Sequence, residues 1–140
     1  MTAKEFLRQY EYAEQRARIL REQYEIETLR IDAVGSTLGG EPGMPHGTGI
    51  SRKTEDKAIR LADKALAYKQ AELDAIEMKQ TVFDLIWDIP SIEGKVLYDR
   101  YILLMTWEKI AELEHYSYTG IHYAHRRALE IVEGRLNGNE

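Results

Sequence analysis

Along most of this chain apolar residues recur at alternating spacings of four and three, the period of an α-helix with one buried face. Phe6, Tyr10, Ala13, Ala17, Leu20, Tyr24 and Ile31 form the first such stripe, and Glu27 is its one break. Thr2 followed by Glu5 makes a capping box that would start this helix. A second stripe runs through Ile59, Ala62, Leu66, Leu73, Ile76, Phe83 and Trp87, interrupted by Lys69 and Gln80. Thr54 is placed to cap the second helix, with Glu55 and Asp56 in its first turn, where the helix dipole favours acids. Two long helices with seven-residue patterning predict an antiparallel coiled-coil hairpin.

Between the stripes lies Gly35 to Gly49, GSTLGGEPGMPHGTG, which holds six of the ten glycines and two of the three prolines. Ordering such a segment costs chain entropy and buries little apolar surface, so a flexible loop is expected over residues 35–52. No Lys-Ser or Lys-Thr follows these glycines as a phosphate-binding loop requires.

After Trp87 the pattern breaks at Asp88-Ile89-Pro90-Ser91, because proline fits the start of a helix better than its interior. Ile92, Val96, Leu97, Tyr101 and Leu104 give a third helical stripe in spite of Gly94. Thr106 then caps a short helix carrying Trp107, Ile110, Ala111 and Leu113. A turn at Glu114-His115-Tyr116 leads to a last helix from Ser117 to about Leu136, whose inward stripe is Ile121, Ala124, Ala128 and Val132. No strand pattern is present, so the expected class is all-α, with a helical hairpin over 1–88 and a three-helix unit over 89–140.

Composition narrows the function. The chain has 140 residues, 44% apolar, enough to fill one core or two small ones. Cysteine is absent, which removes disulfides and thiolate metal sites. No apolar run approaches the roughly 20 residues that span a bilayer, and the first twenty residues are charged throughout, so a cytoplasmic protein without membrane contact is expected. A net charge of −5 weighs against nucleic-acid binding, since lysine and arginine supply much of the affinity for phosphates. Positive charge would have to be local: in the last helix Arg126, Arg127 and Arg135 stand against Glu130 and Glu133. The hairpin seam is thin, being rich in alanine and interrupted by polar residues. Either a second copy supplies the missing burial, giving a homodimer through the N-terminal helices, or the hairpin folds back on the C-terminal part.

A short helix, a tight turn and a longer helix, with the small Ala111 near the crossing, is the layout of a helix-turn-helix. The run Val96 to Leu129 resembles the fourth region of sigma-70-type transcription factors. The matching elements are Val96-Leu97, Arg100-Tyr101, Thr106-Trp107, Ile110-Ala111, Ser117, Ile121 and Arg127-Ala128-Leu129. With a coiled-coil N-terminal half, the chain looks most like small phage- and prophage-encoded regulators of the RinA/ArpU type. That resemblance implies a sequence-specific regulator of phage transcription bound to double-stranded DNA, with RNA polymerase as a further expected partner. The chain departs from the pattern at the turn: Glu114 stands where the family has a large apolar residue, and Leu113 comes one step early.

In a docked recognition helix the N-terminal half enters the major groove, which would bring Tyr118, Thr119, His122 and Tyr123 near base edges and Arg126 and Arg127 near phosphates, with Ser117 as the N-cap. Gly120, the third helical residue, lets either the preceding helix or a phosphate approach the backbone closely. His122 and His125 are three apart, but no third metal ligand accompanies them. No catalytic arrangement can be picked out by spacing, and neither an enzyme nor a cofactor is expected. Two alternatives stand beside the regulator: a small terminase-like DNA-packaging subunit, and a protein-interaction adapter that keeps the fold without binding DNA.

Overall fold

The structure is a computed structural model that describes residues 1–38 and 48–138. It is all-helical, with no strand among the described residues. The elements are α1 (Ala3–Leu7), α2 (Gln9–Leu38), α3 (Thr48–Ile86), α4 (Ser91–Leu97), a π-helical turn (Tyr98–Ile102), α5 (Trp107–Glu114) and α6 (Tyr118–Leu136). No described helix is long and apolar enough to cross a membrane. Of the loop expected over 35–52, residues 35–38 and 48–52 are helical and the remainder lies outside the described residues. Thr54 therefore sits inside α3 rather than capping it. Nothing between Ile50 and Lys53 breaks a helix, and once nucleated a helix extends by one hydrogen bond per residue.

The chain divides into two compact units, Gln15–Leu73 and the combination of Met1–Glu14 with Asp74–Glu140. The division expected at 88/89 falls inside the second of these. The reason is a shared core: Leu7 from α1 and Val82 and Ile86 from α3 pack in one cluster with Leu97, Tyr101, Ala128 and Val132.

Within Gln15–Leu73, α2 and α3 run antiparallel. Arg21 pairs with Glu72 at 2.8 Å, Tyr24 stacks on Tyr68 at 5.6 Å, and Glu27 pairs with Lys64 at 3.2 Å. Glu27, the break in the apolar stripe, thus lies on the inward face and finds a cation there. The stripe read on α3 turns the other way: Ile59, Ala62, Leu66 and Leu73 are exposed, as are Ile76 and Trp87 further along, and Phe83 is half-buried. Inward positions belong instead to Leu61, Lys64, Tyr68, Ala71 and, beyond them, Ala75, Met78 and Val82. The seam is made of alanines, stacked tyrosines and paired charges with little aliphatic content, and hydropathy alone points to the wrong face.

In the other unit, Thr2 and Glu5 form the expected capping box, with reciprocal bonds of 3.2 and 2.9 Å. Ala3 N–H donates to the Glu133 carboxylate at 2.9 Å, which ties α1 to α6. Pro90 precedes α4 in an extended conformation. The five-residue π turn then inserts one extra residue, so Ile102 enters the core while Leu104, expected on the inward stripe, is exposed at φ 56°. A second cluster holds Val96 of α4, Ile110 of α5 and Ile121 and Ala124 of α6, with Trp107 against it.

Gly94 and Gly120 should respond very differently to alanine. A Cβ at the buried Gly94 falls onto the Ile89 carbonyl oxygen, whereas one at Gly120 meets the Ser117 hydroxyl at 3.0 Å and Tyr116 at 3.5 Å. Gly94→Ala is expected to cost about 3 kcal/mol or more. Gly120→Ala should stay within about 1 kcal/mol of wild type, because helix propensity offsets the crowded cap. Urea denaturation of the two variants checks this, and equal losses would refute it.

Candidate nucleic-acid interface

The corner between α5 and α6 is built from three local devices. The Thr106 hydroxyl accepts from Lys109 N–H at 3.3 Å and starts α5. His115 ends it in the left-handed region at φ 59°, and Tyr116 N–H returns to the Ala111 carbonyl at 3.0 Å. The Ser117 hydroxyl then accepts from Gly120 N–H at 3.0 Å and starts α6. Three residues therefore join the two helices with both helix ends hydrogen-bonded.

Ile121, Ala124, Ala128 and Val132 are fully buried, which fixes the rotation of α6 about its axis. Thr119, Tyr123, Arg126 and Glu130 consequently face solvent. Tyr118 is also exposed, and the Arg126 guanidinium lies over the Tyr123 ring at 5.6 Å. Ser117 is exposed but occupied as the cap. The structure thus brings Ser117, Tyr118, Thr119, Tyr123 and Arg126 to one accessible surface.

Two residues expected there behave differently. His122 is half-buried, 4.6 Å from the Trp107 ring and 4.4 Å from Tyr118, and its Nε2 is buried without a hydrogen-bond partner. It belongs to a ring stack, because the aromatic area it covers on Trp107 outweighs contact with water. Arg127 is exposed, yet its Nε donates to the Glu93 carboxylate at 2.9 Å, and this bond holds the Glu93 carboxyl below the usual range. A phosphate would have to compete with that carboxylate. Gly120 contacts its own cap and Tyr116 rather than α5.

Sequence reasoning missed what lies beneath and beside the corner. His125 is buried, its Nε2 2.7 Å from the Tyr101 hydroxyl, and edge-on to Trp107 at 4.6 Å. Burial, and then the nearby positive charge of Lys4, pulls the His125 imidazole down to about 4, so it is neutral at pH 7. Burial also pushes the Tyr101 hydroxyl up to about 12. Arg100 donates to the Met105 carbonyl at 2.8 Å and covers Trp107 at 4.7 Å. With Lys4, Arg8, Glu11 and Tyr101 it lines a cleft of about 80 Å³, a concentration of cations in an acidic protein. The spacing of Lys4 and Arg8, one helical turn apart, was the available signal, but their distance from Arg100 in sequence concealed it.

Glu114, at the end of α5, has an acidic neighbour. It is half-buried and faces the buried Asp99, carboxyl to carboxyl. Burial first, and Glu114 second, push the Asp99 carboxyl up to about 7. Two such groups form a hydrogen bond only while one holds a proton. Among the described residues no cluster of three or more metal-ligating side chains occurs.

The two buried groups affect stability in opposite directions. His125 is depressed on folding, so its contribution is complete above about 6.5 and is lost as pH falls toward 4. Asp99 is raised, so its contribution is complete below about 3.8 and is lost as pH rises through 7. Asp99→Asn should therefore gain stability relative to wild type between pH 5 and pH 8. His125→Phe should lose the destabilisation of wild type between pH 6.5 and pH 4. Urea midpoints over that range are the check, and parallel curves for variant and wild type would contradict the assignment. No family model, curated protein or solved structure matches the chain.

Proposed function

We propose that the chain is a sequence-specific, double-stranded-DNA-binding regulator of the phage type, with α5 and α6 as a helix-turn-helix and α6 as its recognition helix. The observation that carries this reading is the pairing of a hydrogen-bonded three-residue corner with a fully buried Ile121-Ala124-Ala128-Val132 stripe. That combination leaves Tyr118, Thr119, Tyr123 and Arg126 projecting from the first half of α6, the part that enters a major groove in this motif. Thr119 and Tyr123 carry hydroxyls able to bond base edges, and Arg126 carries the charge for a phosphate. Lys4, Arg8 and Arg100, linked to the corner through Trp107, offer a second cationic contact. The sigma-like pattern between Val96 and Leu129 supports the same reading and extends it to RNA polymerase as an associate. Homodimerisation through the N-terminal helices completes it, since two copies double the phosphate contacts.

A protein-interaction adapter is the second reading. Leu113, Tyr116, Tyr118 and Tyr123 are all exposed around the corner, and tyrosines with an exposed leucine are what protein interfaces use. Glu108 and Glu112 on α5 are exposed as well and would repel DNA.

Selection of bound duplexes from a random DNA pool, followed by anisotropy titrations over a range of salt, separates the two. A regulator yields an enriched sequence and an affinity that falls with salt; an adapter yields neither. Arg126→Ala should weaken binding to every sequence and lower the slope of log affinity against log salt by about 0.9. Tyr123→Ala should change the preferred sequence and leave the slope intact. Unchanged isotherms for both variants would remove α6 from the interface.

A further inference from the structure

The cleft beside Trp107 gathers three cations and one carboxylate between two aromatic rings: Lys4, Arg8, Glu11, Arg100, Tyr101 and Trp107 line about 80 Å³. All six belong to the unit that combines Met1–Glu14 with Asp74–Glu140. We propose that this cleft is a binding site for one dianionic phosphate group, free in solution or carried as the terminal phosphate of a small monoester. The proposal does not rest on DNA binding by α6.

The cations are held in place without being neutralised. Arg100 stands at the centre of the π turn, a distortion that recurs at functional sites. Its guanidinium is half-buried and fixed twice, by donating to the Met105 carbonyl at 2.8 Å and by lying over the Trp107 ring at 4.7 Å. A guanidinium already oriented loses little freedom when an anion arrives. Lys4 and Arg8 are one helical turn apart, a spacing at which like charges repel and cost stability. Among the described residues neither Lys4 nor Arg100 forms an ion pair, and Arg8 meets Glu11 at 3.5 Å. The acids nearest the start of α1 have backbone partners: Glu5 accepts from Thr2 N–H and Glu133 from Ala3 N–H. The groups beneath the cleft feel the same field, since Lys4 and Arg100 add to burial in holding the His125 imidazole down, and Arg100 and Arg8 oppose the burial that raises the Tyr101 hydroxyl.

Charge and size select the ligand. Three cations and one carboxylate leave two positive charges, and a phosphate monoester carries about −1.5 to −2 at pH 7. The volume equals that of about two or three water molecules, enough for a phosphate head but not for a nucleoside or a sugar. A duplex backbone presents the same chemistry as a diester, with one negative charge and a carbon substituent on either side, so it matches the cleft less well in both respects.

The test is an amide and indole NMR titration of the full chain at pH 7.5 and constant ionic strength, with three probes: inorganic phosphate, adenosine 5′-monophosphate and dimethyl phosphate. Inorganic phosphate should give saturable shifts at Lys4, Arg8, Arg100 and the Trp107 indole, with a dissociation constant on the order of 1 mM. Tighter binding of the nucleotide would assign the monoester as the source, and equal binding the free ion. Dimethyl phosphate, the diester, should bind about tenfold more weakly. Lys4→Gln should weaken phosphate about fivefold, and Glu11→Gln should tighten it by a similar factor, because each changes the charge of the cleft by one. Both side chains lie toward solvent, and circular dichroism verifies helical content. Lys109→Gln, at an exposed lysine outside the cleft, should leave the affinity unchanged. Shifts that stay linear across the series, equal affinity for the diester, or an affinity that ignores both Lys4→Gln and Glu11→Gln would overturn the proposal.

Discussion

The packing of α6 on its small-residue stripe is the constraint on which the rest depends. Ala124 and Ala128 let neighbouring helices come close to the α6 backbone, and Ile121 and Val132 fill the space on either side. Because Ile121 and Ala124 sit in one cluster with Val96 and Ile110, and Ala128 and Val132 in another with Leu7, Val82 and Leu97, α6 is held along its length by several elements. Any rotation that brought Arg126 inward would bury a charge and expose four apolar groups. The outward ridge is a consequence of that arrangement rather than of anything on the ridge itself.

Around this framework the polar groups are placed with unequal success. Trp107 is the hub of a stack in which Arg100, His122 and His125 each cover part of its ring, and Tyr101 satisfies His125 from below. The Asp99 and Glu114 pair is the opposite case, two acids in a place suited to an apolar contact. Buried polar groups with incomplete partners lower stability. Their position beside the turn makes the energetics of the corner responsive to proton concentration.

Much of the unit that combines Met1–Glu14 with Asp74–Glu140 was legible in the sequence because it rests on local rules. Thr2, Thr106 and Ser117 cap helices where their side chains predict, and the stripe of α6 is buried at the positions its period gives. Several of the failures share one cause: a contact from elsewhere in the chain decided the outcome. On α3 two faces have heptad spacing, and Tyr24, Arg21 and Glu27 of α2 select the less hydrophobic one. The π turn shifts Ile102 inward in place of Leu104, a change of one residue that periodicity does not reveal. Arg127 looks like a phosphate ligand until Glu93, 34 residues earlier, is seen to hold it. His122 reads as a base contact on a helical wheel, and the ring of Trp107 makes it an internal one.

The claim at the centre, that the first half of α6 is a DNA-reading surface fixed by the packing beneath it, is most directly tested by a backbone amide NMR titration. Isotope-labelled protein would be titrated with a duplex recovered from the random pool, and the same duplex scrambled in sequence would serve as the comparison. The account predicts that the largest shifts unique to the recovered duplex fall between Ser117 and Arg126. Shifts confined to Leu113–Tyr116, or identical for the two duplexes, would contradict it.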